Sequence, residues 1–139
     1  MSTFAGSWTY RSFINNPEEV GDDPKKALAI IFGEGLMTIE ATELGDFKGT
    51  LGFGGRDILD LRGWTAYGAP FTARFEGVGR KGTDVQGWVY DYVAYLIPNW
   101  PNGVDQTAAF VGSVVRTVPH SDGKAKAGYV ASFVAVKRS

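Results

Sequence analysis

His120 is the only histidine in the chain and the only side chain whose ordinary pKa lies near neutrality, which makes it the candidate for general acid or base chemistry. Ser121 and Asp122 follow it directly, yet adjacent residues point apart, so a Ser-His-Asp triad is not expected. The plain alternative is a turn histidine solvated beside Ser121 and Asp122. A second set lies in Trp88, Tyr90 and Tyr92, which share one face of a strand while Val89, Asp91 and Val93 share the other. Turned inward with Trp8, Tyr10 and Trp64, these rings would line a lumen able to stack a planar or apolar ligand and orient it by phenol hydroxyls. They could equally fill a small barrel, or face outward as a subunit interface. Arg62 and Arg116 form the third set. An inward arginine needs a buried partner or an anionic ligand, because an unpaired buried charge is costly. Asp60, Arg62 and Trp64 share a face, as do Arg74 and Glu76, and exposed cross-strand ion pairs are the ordinary explanation of such charges. The expected ligand-binding residues are therefore Tyr10, Arg62, Trp64, Trp88, Tyr90, Tyr92, Arg116 and His120, with His120 the catalytic candidate if there is catalysis.

Other motifs point elsewhere or nowhere. Gly77-Val78-Gly79-Arg80-Lys81-Gly82 matches Gly-x-Gly-x-x-Gly, but a strand and not a helix follows it, so it reads as a glycine-rich turn. The absence of cysteine excludes disulfides and thiolate metal sites, and one histidine is too few for a typical zinc or haem centre. No cofactor and no metal are expected. A net charge of -1 with both signs interspersed offers no phosphate-binding stripe, so nucleic acid is not an expected partner. The opening Met-Ser-Thr-Phe-Ala-Gly lacks a basic segment followed by an apolar run, and no later segment supplies a membrane-length apolar stretch. A cytoplasmic protein without a membrane partner is expected.

These side chains need elements to hold them, and the elements read as strands. The 139 residues suffice for one domain, 1–139, and their 19 glycines are about twice the usual share of ~7%. Scattered among short β-rich segments, the glycines indicate tight turns in an all-β fold. Thr107–Thr117 and Ala127–Lys137 form a hairpin across Pro119–Lys124, with Asp122-Gly123 as its turn dipeptide. Phe4–Asn15 alternates as a first strand, and Asn15–Pro24 breaks the pattern with two prolines and four acids. Ala27–Phe32 has two readings: Asp23-Pro24 could cap a short helix, whereas Ile30-Ile31-Phe32 favours a strand, the preferred reading. Leu36–Thr42, Phe47–Phe53, Asp57–Ala66, Phe71–Arg80 and Gln86–Ile97 complete the set.

Parity then selects an architecture. A meander closes antiparallel only with an even number of strands, and the number is eight if Ala27–Phe32 joins the loop or runs into Leu36–Thr42 through a bulge at Gly33-Glu34-Gly35. The expectation is an eight-stranded antiparallel up-and-down β-barrel. Asn15–Lys26, Gly54–Arg56, Gly79–Asp84 and Pro119–Lys126 then share one end, with His120 beside the long loop. Both termini share the other end with Trp8, Lys137 and Arg138.

Gly6-Ser7-Trp8 resembles the Gly-x-Trp signature on the first strand of the calycin barrels, the lipocalins and the avidin and streptavidin family. Lys137 or Arg138 resembles the basic residue that packs over that tryptophan in lipocalins, a contact worth roughly 0.5 to 2 kcal/mol. The avidin-like comparison extends loosely from Phe47-Lys48-Gly49-Thr50 onward without the full set of biotin-contacting positions, so biotin is not implied. Trp100-Pro101-Asn102-Gly103 and Arg116–Ser121 are similar to signatures of a narrower bacterial family.

The expected function is a barrel that binds a small apolar or aromatic molecule in its lumen. Two alternatives stand beside it: a cofactor-independent isomerase, cyclase or lyase using His120, Tyr90 or Arg116, and an oligomeric structural or interaction module with a filled lumen. A homodimer or higher homo-oligomer is the expected assembly.

Overall fold

In the computed structural model, which describes residues 4–42 and 44–138, the chain winds as β1 (Gly6–Ile14), α1 (Pro24–Ala29), β2 (Ile31–Ala41), β3 (Asp46–Gly52), β4 (Ile58–Ala66), β5 (Thr72–Gly79), β6 (Val89–Leu96), β7 (Ala109–Arg116) and β8 (Val130–Lys137). Each strand pairs antiparallel with the next, and β1 pairs with β8 to close the barrel in the order β1 to β8. The closed, eight-stranded up-and-down architecture matches the expectation from strand parity. Met1, Ser2 and Thr3 of the N-terminal stretch read above lie outside the described residues. No helix among the described residues is long and apolar enough to cross a membrane.

The segment with two readings is divided between them. Asp23 caps α1, its carboxylate accepting from the Lys25 and Lys26 amides at 2.9 and 3.4 Å, and Pro24 occupies the first turn. The helix buries no side chain and ends at Ala29, so Ala27–Ala29 corrects the strand reading. At Ile31 the chain enters β2, which runs without a break to Ala41. Its irregularity falls at Phe32, between the pairs Ser12 with Gly33 and Phe13 with Ile31, not at Gly33-Glu34-Gly35. The extra residue swings the Phe32 ring over the barrel mouth, where it stacks on Tyr129 at 5.4 Å.

One end of the barrel is sealed by rings. Trp8 is fully buried, donates from Nε1 to the Phe4 carbonyl at 3.0 Å and packs on Phe110 at 4.6 Å between centroids. The Lys137 ammonium lies 4.8 Å from the Trp8 ring and donates to the Ala5 carbonyl, so the expected basic residue over this tryptophan is Lys137. Midway up, Phe47 stacks on Phe75 at 4.4 Å and Phe75 on Tyr92 at 4.7 Å. Gly63 sits between Phe47 and Phe75 in the strand register. Its missing side chain lets rings two strands apart meet. On the outer wall Glu40, Lys48, Arg62, Glu76 and Asp91 form a continuous charged row across five strands.

Candidate functional site

Above the Phe47, Phe75 and Tyr92 stack the barrel is open. A cavity of about 330 Å³ occupies the mouth, walled by Tyr10, Phe32, Leu59, Val85, Trp88, Tyr90, Tyr92, Val114 and Arg116, with Ser12, Asp57 and His120 adding polar atoms. The lumen is thus filled in its lower half and vacant in its upper half. Tyr10 and Ser12 come from the inward face of β1, Tyr90 and Tyr92 from that of β6, and Val114 and Arg116 from that of β7. His120 comes from the turn between β7 and β8, locked by paired backbone hydrogen bonds with Ala125.

The polar groups at the mouth form one chain. Arg116 Nε donates to the Tyr90 hydroxyl at 3.2 Å, and that hydroxyl lies 2.8 Å from His120 Nε2. His120 Nδ1 in turn lies 2.8 Å from Ser121 Oγ. A guanidinium can only donate, so the single Tyr90 proton is free to go to Nε2. With the imidazole neutral and its proton on Nδ1, donated to Ser121, every contact of the chain is satisfied. Trp88 covers the imidazole face at 3.8 Å and 9°. Partial burial lowers the His120 pKa from its ordinary value, and the charge of Arg116 lowers it further.

Deeper in, burial pushes the Tyr10 hydroxyl up to about 12, although hydrogen bonds to Ser12 and Tyr92 pull the other way. Burial and the neighbouring phenol Tyr10 hold Tyr92 well above the usual value as well. Both phenols stay neutral across the physiological range and offer hydrogen bonds rather than charge.

Six of the eight expected binding residues line this cavity: Tyr10, Trp88, Tyr90, Tyr92, Arg116 and His120. Arg62 and Trp64 do not. Both point outward from β4, and Trp64 is 60% exposed. Leu59 and Leu61 take the inward positions of that strand, which fixes the opposite parity for Asp60, Arg62 and Trp64. The exposed ion pair formed by Asp60 is with Arg80, at 2.6 Å. His120 also departs from the solvated-turn reading, since its ring is stacked and bonded to Tyr90. Ser121 reaches the same ring, against the expectation that neighbours point apart, because Ser121 and Asp122 both adopt a φ of 56° and fold the turn back.

Sequence reasoning missed Phe32, Val85 and Asp57. Phe32 reaches the mouth through a bulge and Val85 through the turn between β5 and β6, and neither position follows from strand alternation. Among the described residues no cluster of three or more histidine, aspartate or glutamate side chains is arranged to hold a metal ion. Compared with protein-family models, with curated proteins and with solved structures, the chain gives no match.

Proposed function

We propose that the protein is a small-molecule-binding barrel that takes one largely apolar or aromatic ligand into the upper lumen. The observation that carries this reading is the vacant cavity of about 330 Å³ above a close-packed aromatic floor. Small-molecule pockets have volumes of about 300 to 1,000 Å³, mostly apolar walls and a few convergent polar groups. The walls here are of that kind, and the Arg116, Tyr90 and His120 chain supplies the polar groups. A filled barrel serving only as an interaction module has no need of the vacancy. Gly6-Ser7-Trp8, with Lys137 over the Trp8 ring, supports kinship with the calycin barrels as part of the same reading, and the cysteine-free composition is compatible with a cytoplasmic setting.

Native mass spectrometry of protein purified from its own host tests the proposal. A bound organic mass at one per chain is expected, and Tyr90→Ala, which removes a wall ring and the hydroxyl at the centre of the polar chain, should lose it. Protein that carries no bound mass and takes up no small aromatic compound would overturn the reading.

A further inference from the structure

Resting on that reading, we infer that the ligand is an organic acid whose anionic oxygen head is received by Arg116, with its apolar body among the rings below. Arg116 is 8% exposed and lines the cavity. A guanidinium has five N–H donors, and two are used here, one to the Tyr90 hydroxyl and one to the Lys126 carbonyl, both at 3.2 Å. The other three have no acceptor among the described residues, and no described carboxylate lies within ion-pair distance of this side chain.

The fold has stabilised the charge without consuming those donors. The guanidinium carbon lies 5.6, 5.7 and 5.2 Å from the ring centroids of Phe32, Tyr90 and Tyr129. Aromatic faces attract the cation, while its N–H groups point outward from the edges of the guanidinium plane. An edge of free donors on a largely buried, permanently charged group is suited to a carboxylate, which accepts two parallel hydrogen bonds. Tyr90 and His120 stand beside it as neutral groups that do not repel an anion.

One carboxylate does line the cavity, and its position matters. Asp57 stands just before β4, three strands round the barrel from β7, and its Oδ1 already accepts from the Asp84 amide at 3.2 Å. The acid head therefore belongs on the Arg116 side, with the ligand body directed down toward Tyr10 and Val114.

Calorimetric titration with 2-naphthoate and with 2-naphthamide, its uncharged isostere, tests the inference. Wild-type protein should bind the acid at least about tenfold more tightly than the amide, since charge-assisted hydrogen bonds are about twice as strong as neutral ones. Arg116→Met should weaken the acid far more than the amide and so abolish the preference for the acid. Arg116→Lys should restore part of the preference, because it returns the charge without the planar fork. Equal binding of both compounds by the wild type would overturn the acid head and leave the lumenal-ligand reading standing. Binding of neither would overturn both. The wild-type comparison decides the matter even if the methionine variant does not fold.

Discussion

At His120 partial burial and the neighbouring Arg116 charge both disfavour the protonated ring, and the pKa is accordingly depressed. The consequence for stability has a definite sign. Above the ordinary value of 6.5 the ring is neutral in both folded and unfolded chains, so stability does not change through this group. As the pH falls below that value the unfolded chain takes up the proton more readily, and folding stability drops until the folded-state ring is protonated as well. Urea denaturation of wild type and His120→Gln across this acid range should therefore give a shallower pH dependence in the variant. Identical slopes would remove His120 as the source. The buried phenols act at the opposite extreme: with Tyr10 raised from 10.0 to about 12, the stability that it contributes is complete below 10.0 and is lost as the pH rises through the folded value.

Among the elements, β4 illustrates why glycine is placed inside a strand. A Cβ on Gly63 would lie 2.0 Å from the Arg74 carbonyl oxygen and 2.5 Å from Phe75 Cα, closer than any side chain tolerates. Gly63→Ala should consequently destabilise the fold by about 1 to 3 kcal/mol or more through overpacking, measurable as a lowered urea midpoint. A neutral result would show that β4 and β5 can separate without disturbing the Phe47 and Phe75 stack. The bulge in β2 serves a different end. By spending one extra residue at Phe32 it directs a ring into the cluster around Arg116, so a backbone irregularity helps to build the candidate site.

The whole molecule is held by closure. With β1 hydrogen-bonded to both β2 and β8, the sheet has no free edge, and opening any one seam exposes the aromatic interior. Amide hydrogen exchange should therefore find protection in β1 and β8 comparable to that in β4 and β5, as expected of one cooperative unit. Exchange about a hundredfold faster at the β1 and β8 seam than in β4 and β5 would mean that the barrel opens locally there. Closure also explains the division of the lumen. Trp8, Phe4, Phe47 and Phe110 converge at the end where β1 begins and β8 finishes, whereas the connections 15–30, 53–57, 80–88 and 117–129 surround the mouth.

Alternation, turn dipeptides and strand parity were enough to indicate eight antiparallel strands, which loops share an end, and that Trp88, Tyr90 and Tyr92 share one face, because these depend on local period and on counting; that this face turns inward was decided by the closed barrel. The phase of Leu59 and Leu61 against Asp60 and Arg62 also held the information that Trp64 faces water. In β7 the residues Phe110, Gly112 and Val114 alternate with Val111, Ser113 and Val115, both faces are apolar or small, and only the closed sheet decides that Arg116 points inward. The bulge at Phe32, the positive φ of Ser121 and the assembly of Arg116, Tyr90 and His120 into one chain belong wholly to the tertiary structure. The bulge and the polar chain bring together groups from separate segments, and no local pattern along a single chain specifies those meetings.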